Sequence, residues 1–124
     1  TDDENYRRPA YYDLEQRTFE VSDVKIPIYI EGKALRYVLI MDLMLESSNR
    51  YIQAFFTENK GAKAYMIYDR LHNSLEPVVP EFPLEYEGKQ VIKKRIQQEL
   101  NKLLREQGIE GEFNNILLKN ILAG

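Results

Sequence analysis

Residues 34–46 read ALRYVLIMDLMLE. Leu35, Tyr37, Leu39, Met41, Leu43 and Leu45 fall on every second position, the period of a β-strand with one face against a core. The alternate positions, Ala34, Arg36, Val38, Ile40, Asp42, Met44 and Glu46, are only partly polar. The stretch just before it supplies a partner strand, in which Val24, Ile26, Ile28 and Ile30 alternate with Lys25, Pro27 and Tyr29. Register decides the loop between them. A two-residue turn at Gly32-Lys33 sets Glu31 opposite Ala34, Ile30 opposite Leu35, Ile28 opposite Tyr37, Ile26 opposite Leu39 and Val24 opposite Met41, all on one face. A three-residue loop would set Ile28 against Arg36 and lose the pattern. The favoured register also brings Asp23 opposite Asp42, where pairing is expected to end. Pro27 has no N–H to give a central ladder, so the first strand is expected at an edge of the sheet. The strand over 34–46 is then interior and needs a further neighbour.

On the N-terminal side, residues 1–10 are polar and read as a flexible linker ahead of a single domain over 11–124. Residues 12–21 have weak strand character and read as extended chain entering the domain. On the C-terminal side, Ser47-Ser48-Asn49 is a helix-start signature, because small polar side chains accept the free N–H groups of a first turn. Ile52, Phe55 and Phe56 follow at helical spacing. Ala64, Ile67, Tyr68, Leu71 and Leu75 form a second stripe beyond Gly61, which leaves one kinked helix or two separate ones. Helix must end by Glu76, because Pro77 disfavours it in the residue before. Residues 77–83, PVVPEFP, read as a stiff strap with Val78, Val79 and Phe82 packing inward. Residues 88–107 give the clearest helix, with Ile92, Ile96, Leu100, Leu103 and Leu104 on one stripe and Gly108 as its stop. Residues 113–122, FNNILLKNIL, follow a glycine turn and supply the third strand, beside the central one. The fold class expected is α+β: a three-stranded sheet, made of a β-hairpin plus a C-terminal strand, packed against two to three helices.

The totals exclude several function classes. The 124 residues make one ordinary domain, 44% hydrophobic and 30% charged. A net charge of −3 argues against nucleic acid, which wants a basic face. Lys93, Lys94 and Arg95 sit on a helix face that solvent covers. There is no cysteine for a disulfide, a thiolate nucleophile or a zinc ligand. No apolar run approaches the roughly 20 residues of a membrane span. The chain begins at Thr1 without Met and reads as a processed or truncated piece, with room for an upstream anchor. His72 is the only histidine, with Asp69 and Glu76 on its helix face. One imidazole and two surface acids fall short of a usual zinc site, so ordinary ion pairing is the better reading. Ser47, Ser48 and Ser74 lack a nucleophile elbow, and the glycines form no phosphate loop. Neither a catalytic residue nor a cofactor is expected.

Nine tyrosines exceed what one small core hides with satisfied hydroxyls, and tyrosine is enriched at protein interfaces. Helices on one face of the sheet would leave Val38, Ile40 and Met44 exposed on the other. With Tyr29, Phe55, Phe56 and Tyr65, these are the candidate interface residues.

Several stretches together resemble the periplasmic domain of the FliL family of flagellar basal-body-associated proteins. Tyr12-Asp13-Leu14-Glu15 with Thr18-Phe19-Glu20-Val21 is similar to the family's entry strand. Arg36-Tyr37-Val38 leading to Leu43-Met44-Leu45-Glu46 resembles its long second strand. Ile67-Tyr68-Asp69-Arg70-Leu71 with Leu75 is like its helix with an Ile-x-Asp core. Glu87-Gly88-Lys89 followed by Ile92, Ile96, Leu100, Asn101 and Leu104 resembles its last helix. The proline-rich strap and the composition of the closing strand would suit a divergent member or paralogue. The resemblance implies a stomatin-like (SPFH) fold and a periplasmic domain tethered to the bacterial inner membrane by an N-terminal anchor. It implies self-association into a homo-oligomeric ring around the flagellar stator proteins, in support of torque or swimming, and no enzyme activity. The alternative on the residues alone is a partner- or peptide-binding module unrelated to motility.

Overall fold

A computed structural model describes residues 14–33, 36–75, 77–79 and 86–123. The chain is α+β, with an antiparallel three-stranded sheet packed on helices. The long strands are β1 (Thr18–Ile30), β2 (Arg36–Ser47) and β4 (Phe113–Ala123). A two-residue strand, β3 (Val78–Val79), adds to the outer side of β1, giving the order β3-β1-β2-β4. The helices are α1 (Arg50–Gly61), α2 (Tyr65–Asn73) and α3 (Tyr86–Glu106).

The hairpin register is the expected one: Ile28 pairs with Tyr37, Ile26 with Leu39 and Val24 with Met41. The turn bond runs from Lys33 N–H to the Ile30 carbonyl, 3.0 Å, so it is centred on Glu31-Gly32, one residue earlier than expected. Pairing does not end at Asp23. A bulge takes up Ser22 and Asp23, and the ladder resumes at Val21 with Leu43 and runs to Thr18 with Glu46. Nor is β1 outermost along its whole length, because β3 pairs in parallel with Tyr29 and Ile30. Pro27 lies just short of that contact. The linker over 1–10, the Ile30–Leu35 pair, Glu76 and Phe82 lie outside the described residues.

One core joins the sheet to the helices. Leu39, Met41, Leu43 and Leu45 of β2 are at most 1% exposed, and Ile52, Phe56, Ile67, Leu71, Ile96 and Leu100 close over them. Phe19, Phe56 and Phe113 gather at one end, with ring centroids 5.9–6.2 Å apart. The two-helix alternative is the one adopted. Glu58 is extended and Asn59 and Lys60 are left-handed, so the backbone leaves α1 there and re-forms as α2. Asn49 caps α1 through its side-chain oxygen, which accepts from the N–H groups of Tyr51 and Ile52. The end of α3 is a Schellman motif: Ile109 N–H reaches the Leu104 carbonyl and Gly108 N–H the Arg105 carbonyl. Gly108, at φ +70°, supplies the left-handed residue that this closure needs. β4 departs twice from regular pairing with β2, around Asn114 and around Asn120.

Candidate interaction surface

All three helices cover one face of the sheet, and β2 settles which residues turn to the other. Its even positions, Val38, Ile40, Asp42, Met44 and Glu46, are half-buried, while the odd ones from Leu39 to Ser47 are buried. Paired residues share a face, so β4 adds Asn115, Leu117, Lys119 and Leu122 to this second surface. Leu117 is 50% exposed and Leu122 64%.

Several of the charged groups on this surface are tied to each other, while Lys25, paired with Ile40, and Arg36 stand exposed on it. Lys119 Nζ is 3.4 Å from Glu20, and Arg17 Nη1 is 3.3 Å from Glu46 and 2.8 Å from the Ser47 carbonyl. Asp42 accepts the Asp23 N–H at 2.9 Å and the Asn120 side-chain amide at 2.8 Å. These bonds, that of Asn120 first, hold the Asp42 carboxyl below its ordinary value.

One end of the surface is hollowed. A groove of about 460 Å³ is lined by Leu14, Thr18, Met44, Glu46, Asn115 and Leu117. Its outer wall is a helical turn at 14–16, held in place by hydrogen bonds. Thr18 Oγ1 donates to the Leu14 carbonyl at 2.6 Å, and Gln53 Nε2 of α1 donates to the carbonyls of Glu15 and Thr18. Most of the surface lining the hollow is apolar, with Glu15, Thr18, Glu46 and Asn115 supplying the polar part, a composition that suits contact with other protein.

The seven expected interface residues separate. Val38, Ile40 and Met44 lie together on the second face. Tyr29 joins them there: it is half-buried on β1 and paired with Arg36, an even position of β2. Phe56 is 1% exposed and belongs to the core, where Phe19 stacks on it; its helical spacing from the buried Ile52 places it on the inward side of α1 and removes it from the candidate interface. Phe55 packs edge-on to Phe56 at 4.9 Å, and Lys63 Nζ lies 4.3 Å above its ring. Tyr65 is 57% exposed but on the opposite side of the molecule, at a polar cleft between α2 and α3 that the Arg70–Glu106 ion pair closes. Sequence reasoning missed Leu14, Leu117 and Leu122. The apolar character of the last two was visible, but their face depends on the β4 register, which the two irregularities shift.

His72 is exposed, with Nδ1 3.3 Å from the Lys25 carbonyl oxygen, and Asp69 is exposed beside it. Among the described residues no group of three or more His, Cys, Asp or Glu side chains comes together. Neither a known family model nor a curated protein matches the chain.

Proposed function

We propose that this chain is a non-enzymatic assembly domain of the FliL type. In that role it is periplasmic, anchored in the bacterial inner membrane ahead of Thr1, and associates with copies of itself and with stator proteins to support flagellar torque. The observation that carries the proposal is the second sheet face, where Val38, Ile40 and Met44 lie beside the exposed Leu117 and Leu122 and no helix covers them. Such a surface suits protein contact and offers no polar group poised for chemistry. Further support comes from the stretches that resemble the family. Arg36 to Glu46 lies in a long second strand, Ile67 to Leu71 in a helix, and Ile92 to Leu104 in the last helix before a closing strand.

The test is removal of the gene from its host, in frame, followed by swimming in soft agar and torque measurement on tethered cells. Reduced speed or torque, restored by the wild-type gene, is the expected result. Wild-type swimming with normal stator assembly overturns the motor role. In that event the groove around Leu14, Met44 and Leu117 favours the alternative, a peptide- or partner-binding module outside motility.

A further inference from the structure

The polar side chains that line the groove beside Met44 mostly accept hydrogen bonds. Thr18 spends its hydroxyl proton on the Leu14 carbonyl at 2.6 Å, which leaves only lone pairs for a visitor. Glu46 meets Arg17 through Oε1 and keeps its second oxygen. Glu15 is exposed and forms no ion pair among the described residues. Asn115 accepts the Ile116 N–H at 2.9 Å, so its amide NH2 is what it has left to offer. No lysine or arginine is in the lining, and Leu14, Met44 and Leu117 supply the apolar part.

The walls are built in advance. The turn at 14–16 is tied down by Thr18 Oγ1 and by both bonds of Gln53 Nε2. On the β4 side, the main-chain groups that a peptide would pair with are already used. Gln97 Nε2 donates to the Phe113 and Asn114 carbonyls, Asn101 accepts the Phe113 N–H, and Asn115 accepts that of Ile116. A visiting backbone finds little to bond there. A molecule with an apolar body and a single donor head finds both of its needs met, in a hollow of about 460 Å³, a size ordinary for small-molecule sites.

We propose that this groove binds a small amphiphilic amine, its aliphatic body on Leu14, Met44 and Leu117 and its ammonium group at Glu15. The ammonium group brings donors to a lining that accepts, and its charge answers the Glu15 carboxylate. The thioether of Met44 adapts to the shape of the body. An anion of the same length meets like charge at Glu15 and finds no cation in the lining. The site does not rest on the motor role: amine binding and the swimming assay can each fail without the other.

Titration with n-octylamine, followed through the methyl resonances of the chain, reads the binding. Saturable shifts confined to Leu14, Met44 and Leu117 are expected, with a dissociation constant on the order of 1 mM. Octanoate is expected to bind at least about fivefold more weakly. Glu15→Gln, at an exposed site, is expected to weaken octylamine about two- to fivefold and to leave octanol binding unchanged. Leu117→Ala, also at an exposed site, weakens both. Octanoate binding as well as octylamine overturns the proposal, as does a Glu15→Gln variant that binds octylamine like the parent, or shifts spread over the whole surface. Tighter binding of the capped peptide acetyl-Leu-Lys-Leu-amide than of octylamine overturns it too, and assigns the groove to the peptide-binding alternative.

Discussion

Asp42 accepts one amide from each neighbouring strand, from Asp23 of β1 and from Asn120 of β4, and both of those residues have left-handed backbones, at φ 57° and 53°. The bulges on either side of β2 thus meet at a single carboxylate. Because the folded value of Asp42 lies below the ordinary 3.8, its contribution to stability is present above that value and is lost as pH falls through the lower folded one. Thermal unfolding of Asp42→Asn against the parent protein, from neutral pH to about pH 2, is expected to show a shallower decline for the variant confined to the acid limb. Parallel curves there would remove Asp42 from the acid response. Asp23 contributes to this bond with its backbone, so Asp23→Gly keeps the bond and relieves the left-handed cost. A gain of roughly 0.5 kcal/mol in urea unfolding is expected. The hairpin register was legible in the sequence because period two and one buried face leave a single solution. The Asp23 bulge was not, because Asp23 opposite Asp42 reads as repulsion until the backbone N–H, instead of the carboxylate, turns towards Asp42.

At the scale of elements, the start of α1 is clasped to the turn before β4. Ser48 and Glu112 exchange backbone and hydroxyl bonds at 2.8 and 2.9 Å, and Asn49 Nδ2 donates to the Glu110 carbonyl at 3.1 Å. Gly111 sits under this clasp. A Cβ there would stand 2.5 Å from Asn49 Nδ2, 2.6 Å from Ser48 Oγ and 2.9 Å from Ile52 Cδ1, on a backbone at φ +113°. Gly111→Ala is accordingly expected to lower stability by about 2–4 kcal/mol, measured by denaturant unfolding. A loss under about 0.5 kcal/mol would mean that the clasp yields at little cost. The sequence announced the Asn49 cap and the Gly108 stop, because capping chemistry is local. It did not announce the clasp, which joins residues some sixty positions apart. The second face of the sheet was legible through Val38, Ile40 and Met44, whose apolar character contradicts a solvated alternation. The contribution of Leu117 and Leu122 was hidden by irregular pairing.

For the whole molecule, the three long strands and the three helices share one core, and the aromatic trio is where its parts meet: Phe19 from β1, Phe56 from α1 and Phe113 from β4. Phe56→Ala is expected to cost about 3–5 kcal/mol. It should lower the transition midpoint without changing its denaturant slope, since the lesion weakens one cooperative unit and leaves no separate part to survive. A second, independent transition in the variant would show that the helices and the sheet can part. The central strand is completed from opposite ends of the chain, by a hairpin partner made early and by β4, made after every helix. While the chain is being synthesised, the residues of β2 emerge from the ribosome some seventy positions before their second neighbour exists. Throughout that interval one whole side of β2 stays open to wrong partners, including the β2 of another nascent chain on the same messenger. The vulnerable moment for this protein is therefore its own translation, and a pause placed before Phe113 prolongs it.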